Sequence, residues 1–483
     1  MGTAFYQKKI TVVGLARSGV GAANLLAFLG AKVTVTDTKG PQPLDEFIKA
    51  LDPRVLLALG NHPPELFESA DLIVISPGVP PDIGPLGVAR RKGIKIIGEL
   101  ELAFQSLHSG AVKSINASPE FLAVTGTNGK STTTALLNEM LGSGGIETIL
   151  GGNIGNSLAA ELLDAMKLSK ETAARYIVAE LSSFQLETIE SFRPRGATIL
   201  NVTPDHLDRY HKMDVYMKAK CRISFNQDTS DFLVLNADDP STPDVVEIIG
   251  VQKQGPTIFY FSRKGEVDGI YYENGLIRFN LSGDKLRRLE SGLVQPAAST
   301  SIDPGSFRIK GVHNVENAMG AALMAYLAGC SIEGIKNALV TFPGLEHRLE
   351  FVREIDGVRY INDSKGTNVG AVLKSLEGFT DPVILIAGGR DKDSDFSLMR
   401  PLIKERVKRL VLMGEASNKI GQALCDVTEC IMVGHDFKEA VSKAKDAAAP
   451  GDVVLLSPAC ASFDMFMDYE DRGRQFKRMV MEL

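Results

Sequence analysis

The stretch that decides the fold runs from Phe121 to Thr134 and reads FLAVTGTNGKSTTT. An apolar strand passes directly into a loop of glycine and small polar residues, and a helix follows. Glycine lets backbone N–H groups crowd around a polyphosphate, and the helix N-terminus adds partial positive charge. Lys130 has the length to reach terminal phosphates, and the Ser131 hydroxyl suits a magnesium ion. The stretch therefore predicts a P-loop.

One position departs from the usual pattern G-x-x-x-x-G-K-[ST]. Val124 stands where the kinase and GTPase form has its first glycine. The plain alternative is a glycine turn between a strand and a helix that binds nothing.

Length and charge limit the classes of protein to consider. The chain has 483 residues, a length typical of about three domains. Its net charge of −6 comes from 53 basic and 59 acidic residues, without a basic block. Such a chain lacks the electrostatic signature of nucleic-acid binding, whereas a site for an anionic small molecule needs only a few placed cations. We therefore expect no nucleic-acid partner. We also expect a monomer, although the sequence does not determine the oligomeric state.

The five cysteines form no C-x-x-C pair, and an odd count fits no closed disulfide framework. We therefore expect reduced thiols. The N-terminus passes directly into a strand without a signal-peptide apolar segment, and no apolar run reaches transmembrane length. These features predict a cytoplasmic protein with no membrane partner.

Residues 1–98 alternate strands and helices, which predicts a parallel, Rossmann-like sheet. The first turn imitates a dinucleotide fingerprint, but Ala16 replaces its middle glycine, and Asp37 stands near the place of a ribose-binding acid. Nucleotide binding of some kind and a plain tight turn both remain open. The strands that we predict here are 10–13, 32–36, 71–75 and 95–97.

The rest of the chain repeats this α/β pattern twice. Residues 99–344 contain the P-loop and predict a central P-loop ATPase-like domain. Residues 345–483 predict a Rossmann-like C-terminal domain. The fold class is therefore α/β with three tandem domains, and ligands are expected in the clefts between them.

Several polar residues follow predicted strands, where open α/β sheets bind ligands. Glu180 stands where a P-loop enzyme places an acidic metal ligand, although a helix N-cap acid is the alternative. His206 shares its strand end with Asp205. Lys220, in a predicted helix from Tyr216 to Arg222, is on these grounds an ordinary surface lysine.

Asn314 and Asn317 are three residues apart on one helix and share a face, so they suit either base recognition or helix capping. Arg348 and the segment 362–368 (NDSKGTN) suit phosphate and carboxylate recognition.

Together these motifs resemble the Mur ligases, the ATP-dependent amino-acid ligases of peptidoglycan precursor synthesis. TGTNGKSTTT, ELSSFQLE, DHLDRY, HNVEN, the His-Arg pair and NDSKGTN occur in the family's order over essentially the whole chain. The motifs GGNIG, GGRDKDSDF and LLSPACASFDMF are most similar to the members that add D-glutamate to UDP-N-acetylmuramoyl-L-alanine.

The resemblance implies specific residues for each ligand. ATP would bind to Gly126, Thr127, Asn128, Gly129, Lys130, Ser131, Thr132, Asn317, Arg348 and Asp363. UDP-N-acetylmuramoyl-L-alanine, in the domain 1–98 and beside it, would bind to Leu15, Thr38, Ser76, Asn153 and His206. D-Glutamate, in the domain 345–483, would bind to Lys365, Thr367, Lys392, Ser462 and Tyr469, the last at a position where the family has Phe.

The resemblance also implies the cofactors and the reaction. Two Mg²⁺ ions would be held by Ser131, Glu180, His206 and a carbamate that CO₂ forms on Lys220. Lys130, Glu180, His206 and Lys220 would be catalytic. ATP would phosphorylate the substrate carboxylate, and the D-glutamate amine would then attack the acyl phosphate.

Other functions remain to be weighed. Another Mur ligase or a folylpolyglutamate synthetase would share most of these motifs. An NAD-dependent dehydrogenase would explain the first segment but not the P-loop. A P-loop regulatory switch would explain neither the first segment nor the polar strand ends of the third.

Overall fold

The computed structural model describes residues 4–108, 119–167, 174–250, 255–289, 296 and 300–483. The described chain forms three separate β-sheets in sequence order, each with helices on its faces. We call the parts of the chain that build them the first, second and third units.

The first unit has a five-stranded parallel sheet of order β3-β2-β1-β4-β5. The central strands β1 and β4 are almost wholly buried, because a parallel sheet is covered on both faces. The sequence predicted four of the five strands and missed β3, which lies at the edge. Its elements are β1 Lys9–Val13, α1 Arg17–Phe28, β2 Lys32–Asp37, α2 Asp45–Lys49, β3 Leu56–Leu59, α3 Pro64–Glu68, β4 Leu72–Ile75, α4 Gly84–Arg91 and β5 Ile96–Gly98, with a 3₁₀ turn at Gln42–Leu44.

The second unit has a nine-stranded sheet of order β14-β13-β12-β11-β10-β9-β6-β8-β7. The P-loop joins the central strand β6 to α6, and an antiparallel ribbon, β12 to β14, extends one edge. The elements are α5 Glu99–His108, β6 Glu120–Thr125, α6 Lys130–Ser143, β7 Thr148–Gly152, α7 Leu158–Lys167, β8 Tyr176–Glu180, α8 Ser183–Leu186, β9 Gly196–Ile199, α9 Leu207–Tyr210, α10 Met213–Cys221, β10 Phe232–Asn236, α11 Thr242–Gly250, β11 Thr257–Ser262, β12 Gly269–Glu273, β13 Leu276–Asn280, α12 Gly283–Arg288, β14 Ser301–Ile302, α13 Val312–Leu327 and α14 Ile332–Thr341, with 3₁₀ turns at Arg222–Ser224 and Pro304–Ser306.

The third unit has a six-stranded sheet of order β15-β16-β20-β17-β18-β19, parallel except for the edge strand β15. The elements are β15 Glu350–Ile355, β16 Val358–Asn362, α15 Val369–Leu376, β17 Val383–Gly388, α16 Arg400–Arg406, β18 Val407–Met413, α17 Ser417–Leu424, β19 Glu429–Gly434, α18 Phe437–Ala447, β20 Val453–Leu456 and α19 Tyr469–Glu482, with a 3₁₀ turn at Phe396–Met399.

The first and second units share one continuous apolar core. Residues of β1 and α1, such as Val12 and Leu25, belong to the same buried cluster as Leu100 of α5 and Leu162 of α7. The third unit buries its apolar residues in clusters of its own on the two faces of its sheet. The helix α5 is therefore a packed part of the interior as well as the connection between two units.

The expectation of reduced thiols is wrong for two cysteines. Cys425 and Cys430, at the end of α17 and in β19, form a disulfide with a Cα–Cα distance of 5.5 Å. Cys221, Cys330 and Cys460 are free and buried.

No helix of the described residues combines the length and the apolar character that crossing a bilayer requires.

Candidate functional site

A cleft of about 500 Å³ lies between the second and third units. It is lined by the P-loop, by residues that follow β8 and β9, by the first turns of α13, and by loops of the third unit. Of the residues that the sequence suggested, the lining contains Thr127, Asn128, Gly129, Lys130, Thr132, Asn153, Glu180, His206, Asn314, Asn317, Arg348, Asp363, Lys365, Thr367 and Lys392.

The P-loop takes its shape from two glycines with left-handed backbones, Gly126 (φ +153°) and Gly129 (φ +83°). A Cβ on Gly129 would lie 2.2 Å from the Asn317 side-chain oxygen, so this position admits no side chain. Lys130 folds back over the loop and donates to the carbonyl oxygens of Gly126 (3.0 Å) and Thr127 (2.8 Å). Burial lowers the pKa of Lys130. The loop is thus a backbone cradle with one buried cation, which is the arrangement that suits polyphosphate.

Glu180 ends β8 at the bottom of the cleft, and only 1% of it is exposed. The Asn153 amide donates to its Oε1 at 2.8 Å, while its Oε2 has no partner among the described residues. Burial acts to raise the pKa of Glu180, but the charges of Lys130 and Lys365 outweigh it and hold this pKa below its ordinary value. Glu180 is not a helix N-cap, since Ser182 caps α8.

A magnesium ion fits these residues by its chemistry. Mg²⁺ prefers hard oxygen ligands and keeps several waters. Glu180 offers a buried, ionised carboxylate with a free oxygen beside the Ser131 hydroxyl. Within the described ranges, no three His, Cys, Asp or Glu side chains converge on one point. An ion here would therefore complete its shell with phosphate oxygens and water.

Lys220 is not a surface residue, so that interpretation of the sequence is wrong. It lies in α10, 1% of it is exposed, and its Nζ donates to the Gly126 carbonyl oxygen at 2.7 Å. Its ammonium lies 4.5 Å from the centre of the Tyr216 ring. Burial first, and the charge of Lys130 second, hold its pKa well below the ordinary value.

His206 is the N-cap residue directly before α9 and has a left-handed backbone (φ +54°). Its Nε2 lies 3.7 Å from Asp205 Oδ2. Burial lowers the pKa of His206 to about 4 against the opposing effect of Asp205. The imidazole is therefore neutral at neutral pH, with a nitrogen lone pair available to a ligand.

The third unit closes on the second through polar contacts. Arg348 Nη2 donates to the Ser131 hydroxyl oxygen at 2.7 Å. Lys392 Nζ lies 3.7 Å from Asp205 Oδ1, and the Asn368 amide donates to Asp205 Oδ2 at 3.1 Å. Asp205 and Asn368 were given no individual role from sequence, although Asn368 lies in the segment 362–368 that suits phosphate and carboxylate recognition. The signal for them was their place in the loop that follows β9 and at the N-cap of α15.

Asp363 and Lys365 lie at the third unit's side of the cleft. The Asp363 carboxylate accepts from the hydroxyls of Ser375 and Ser457, each at 2.7 Å, and burial raises its pKa. Lys365 Nζ lies 3.5 Å from the centre of the Tyr469 ring, and burial lowers the pKa of this lysine to about 7. Tyr469 and Ser462 are not among the residues that line the cleft.

Asn314 and Asn317 do not cap α13, whose N-terminus has no side-chain cap. Instead the Asn317 amide donates to Asn314 Oδ1 at 3.3 Å. The pair therefore presents a joined amide surface to the cleft.

Leu15, Thr38 and Ser76 lie outside the cleft, directly after β1, β2 and β4 of the first unit. These three strands are parallel neighbours, so the residues share one edge of the sheet. Asp37 Oδ2 accepts from the Leu15 N–H at 2.8 Å and Oδ1 from the Lys39 N–H at 2.9 Å. Asp37 thus stabilises the tight turn after β1.

Three family models match successive parts of the chain. They are described as the Mur ligase MurD-like N-terminal domain (residues 8–98), the Mur ligase middle domain (124–325) and the Mur ligase, glutamate ligase domain (347–460).

Relatives and solved structures agree with these matches. The UDP-N-acetylmuramoylalanine–D-glutamate ligase of Geobacter sp. (strain M21) is 45% identical over 475 residues, 98% of this chain and 97% of the relative. The enzyme of the same name from Pelotomaculum thermopropionicum is 42% identical over 99% of this chain and 98% of its own length. In fold, the chain is similar to the UDP-N-acetylmuramate-alanine ligase MurC of Thermotoga maritima (TM-score 0.61, 18% identity, 99% and 100% covered) and to MurF of Acinetobacter baumannii (0.61, 17%, 98% and 93%). With more than two fifths of its residues shared along nearly the full length of such relatives, the chain belongs to the Mur ligase family.

Proposed function

We propose that this chain is an ATP-dependent ligase that joins D-glutamate to UDP-N-acetylmuramoyl-L-alanine in cytoplasmic peptidoglycan precursor synthesis. The observation that carries the proposal is the cleft in which Lys130, Glu180 and Arg348 meet, in a chain whose full-length relatives are named for this reaction. Residues 1–98 would bind the UDP-linked substrate, residues 99–344 ATP, and residues 345–483 D-glutamate.

The chemistry has two steps. The carboxylate of UDP-N-acetylmuramoyl-L-alanine attacks the γ-phosphorus of ATP, which gives an acyl phosphate and ADP. The amine of D-glutamate then adds to the acyl carbon, loses a proton, and expels phosphate as the amide bond forms. Lys130 and the P-loop N–H groups stabilise the negative charge of the phosphoryl group during its transfer.

Magnesium, when bound, neutralises phosphate charge and polarises the phosphoryl oxygens. Ser131 and Glu180 would hold one ion. His206 and a carbamate on Lys220 would hold a second.

The surroundings of Lys220 support carbamylation. CO₂ adds to a neutral amine, which loses a proton and becomes a carbamate anion. Burial and the nearby Lys130 both favour the neutral amine. The product is an oxygen ligand of the kind that Mg²⁺ prefers.

Closure of the third unit supports a role in excluding water, because an acyl phosphate exposed to water would hydrolyse. Arg348 contacts the P-loop serine in this closed arrangement. Lys392, which lies near Asp205, would leave that partner and bind a carboxylate of D-glutamate. The rest of the D-glutamate would be surrounded by Lys365, Thr367, Ser462 and Tyr469.

The test is a phosphate-release assay with ATP across UDP-linked precursors and amino acids. We expect release only with UDP-N-acetylmuramoyl-L-alanine and D-glutamate together. Release with another amino acid, or with a folate and L-glutamate, would replace this proposal by a sister activity.

A further inference from the structure

A second, small cavity lies where the first and second units meet. Its lining includes Ser76 and Pro77 from the loop after β4, and Phe184, Glu187 and Arg209 from the second unit. Nothing in the reaction described above uses Arg209 or Glu187, although both lie near Ser76 and His206, which the family resemblance assigns to the UDP-linked substrate.

Arg209 makes three contacts at this boundary. Its Nη2 donates to Glu187 Oε2 at 2.6 Å, and its guanidinium lies 4.1 Å from the centre of the Phe184 ring. Its Nη1 donates to the carbonyl oxygen of Pro77 at 3.5 Å. Only 22% of the Arg209 side chain and 18% of the Glu187 side chain are exposed, so water screens the pair weakly. One side chain therefore connects α8, α9 and the Ser76 loop.

Glu187 also anchors the neighbouring residue. The Tyr210 hydroxyl donates to Glu187 Oε1, so both carboxylate oxygens accept from α9. The helix α9 has only four residues, Leu207–Tyr210, and so short a helix is not stable by itself. These two contacts, together with the packing of the Tyr210 ring against Phe184 and Tyr216, hold its C-terminal end.

The other end of α9 is His206. The left-handed backbone of His206 is disfavoured by about 1–2 kcal/mol for a residue with a side chain, so its surroundings must hold it. The imidazole packs edge-on against Phe184, with ring centres 4.8 Å apart. The Phe184 ring is thus in contact with the Arg209 guanidinium and with the His206 ring.

We propose that Arg209, paired with Glu187, is a positioning residue for the UDP-linked substrate. It fixes the Phe184 ring, and through it the His206 imidazole, and it ties both to the loop of Ser76 in the first unit. The planar guanidinium is essential to this role, because it stacks on the ring and bonds the carboxylate at once, which a lysine ammonium cannot do. The inference rests on the proposed function and on the positions of His206 and Ser76 at that substrate, which the family resemblance implies.

The test compares Arg209→Lys and Glu187→Gln with Arg193→Lys. Arg193 is the matched control, since it pairs with Asp231 at 2.7 Å on the same unit but outside both cavities. We expect Arg209→Lys and Glu187→Gln to raise the KM for UDP-N-acetylmuramoyl-L-alanine about tenfold, the scale of one lost charge-assisted contact. The KM values for ATP and D-glutamate should stay unchanged, and Arg193→Lys should behave as the wild type.

A KM for the UDP-linked substrate that stays at the wild-type value in both folded variants would overturn the inference. An equal rise of all three KM values would also overturn it, since that is the result of general loosening. Glu187→Gln keeps the size of the side chain and gives a second, milder variant should Arg209→Lys fold poorly.

Failure of the proposed function has a separate signature. Suppose that the wild type itself releases no phosphate with the UDP-linked substrate. In that case the inference is tested by the NMR resonances of the His206 ring, measured at one fixed pH. A shift of these resonances in Arg209→Lys but not in Arg193→Lys supports the positioning role, and unchanged resonances in both overturn it.

Discussion

Lys130 and Lys220 donate hydrogen bonds to the same acceptor, the backbone carbonyl oxygen of Gly126, with Nζ–O distances of 3.0 Å and 2.7 Å. Two buried ammonium groups that share one oxygen repel each other. Burial lowers the pKa of both lysines, and Glu180 and Asp205 act against it at both. The pKa of Lys220 is held well below its ordinary value, with the charge of Lys130 adding to the effect of burial, so Lys220 is the one that more readily becomes a neutral amine.

Replacing Lys220 tests the proposal that its amine becomes a carbamate. Lys220→Ala should be nearly inactive, because the carbamate oxygen that would hold a magnesium ion is lost. Acetate or propionate should restore part of the activity, since the missing group is only a carboxylate at a defined position. Lys218→Ala is the control, as its side chain is 63% exposed on the same helix and its loss should change little. A fully active Lys220→Ala would refute the role, and inactivity without rescue would leave only a structural one.

Lys130→Ala should lose at least about 100-fold in the rate of phosphate release, the usual scale for removing a key charge stabiliser. Short carboxylic acids should not rescue it, because its defect is a missing cation. The same assay with and without acetate compares the two lysines directly. Near-normal turnover of a folded variant would contradict the P-loop interpretation.

Lys392→Ala should raise the KM for D-glutamate far more than the KM for ATP. D-Glutamate carries two carboxylates, and the variant removes a cation that lies at the closing face of the third unit. Lys419→Ala, which removes a half-exposed lysine paired with Asp391 in the same unit, is the control. Equal rises in both KM values would indicate a structural role for Lys392.

Glu99 gives a prediction about pH and stability. Burial raises the pKa of Glu99 to about 7 from 4.5, while its Oε1 accepts from the Ala159 N–H at 2.6 Å. Between these pH values the unfolded chain releases the proton and the folded chain keeps it, so wild-type stability falls as the pH rises through this window. Glu99→Gln should gain stability relative to the wild type over the same window, by up to about 3 kcal/mol, and keep the gain at higher pH.

Urea unfolding at a series of pH values measures this difference. Glu247→Gln is the control, because Glu247 is exposed on α11 and its replacement should give a constant difference. A Glu99→Gln difference that does not change with pH would show that the buried carboxyl is not protonated in the folded chain.

Sequence patterns predicted the parts of the fold that are built from residues close together in the chain. The P-loop was predictable because its glycines, lysine and strand are consecutive in sequence. The strand β3 was missed because a short apolar run, here Leu-Leu-Ala-Leu, cannot be told from part of a helix by its pattern alone. The disulfide was missed because residues 425 and 430 are brought together only by the turn between α17 and β19.

Burial at the site was harder to predict than chemistry. Lys220 has ordinary neighbours in sequence, and only the packing of α10 beneath the P-loop encloses it. The contacts of Asp205 with Asn368 and Lys392 join residues more than 160 positions apart, so no local pattern contains them. Only the family resemblance assigned Lys220 a role.

The apolar core that runs through the first and second units has a mechanical consequence. A boundary filled with close-packed side chains does not slide or open easily, whereas one made of a few polar contacts does. We therefore expect the first and second units to move together as one rigid body, and the third unit to rotate relative to them. The chain passes from the second unit to the third between α14 and β15, so we expect opening to admit nucleotide to need one hinge there rather than two.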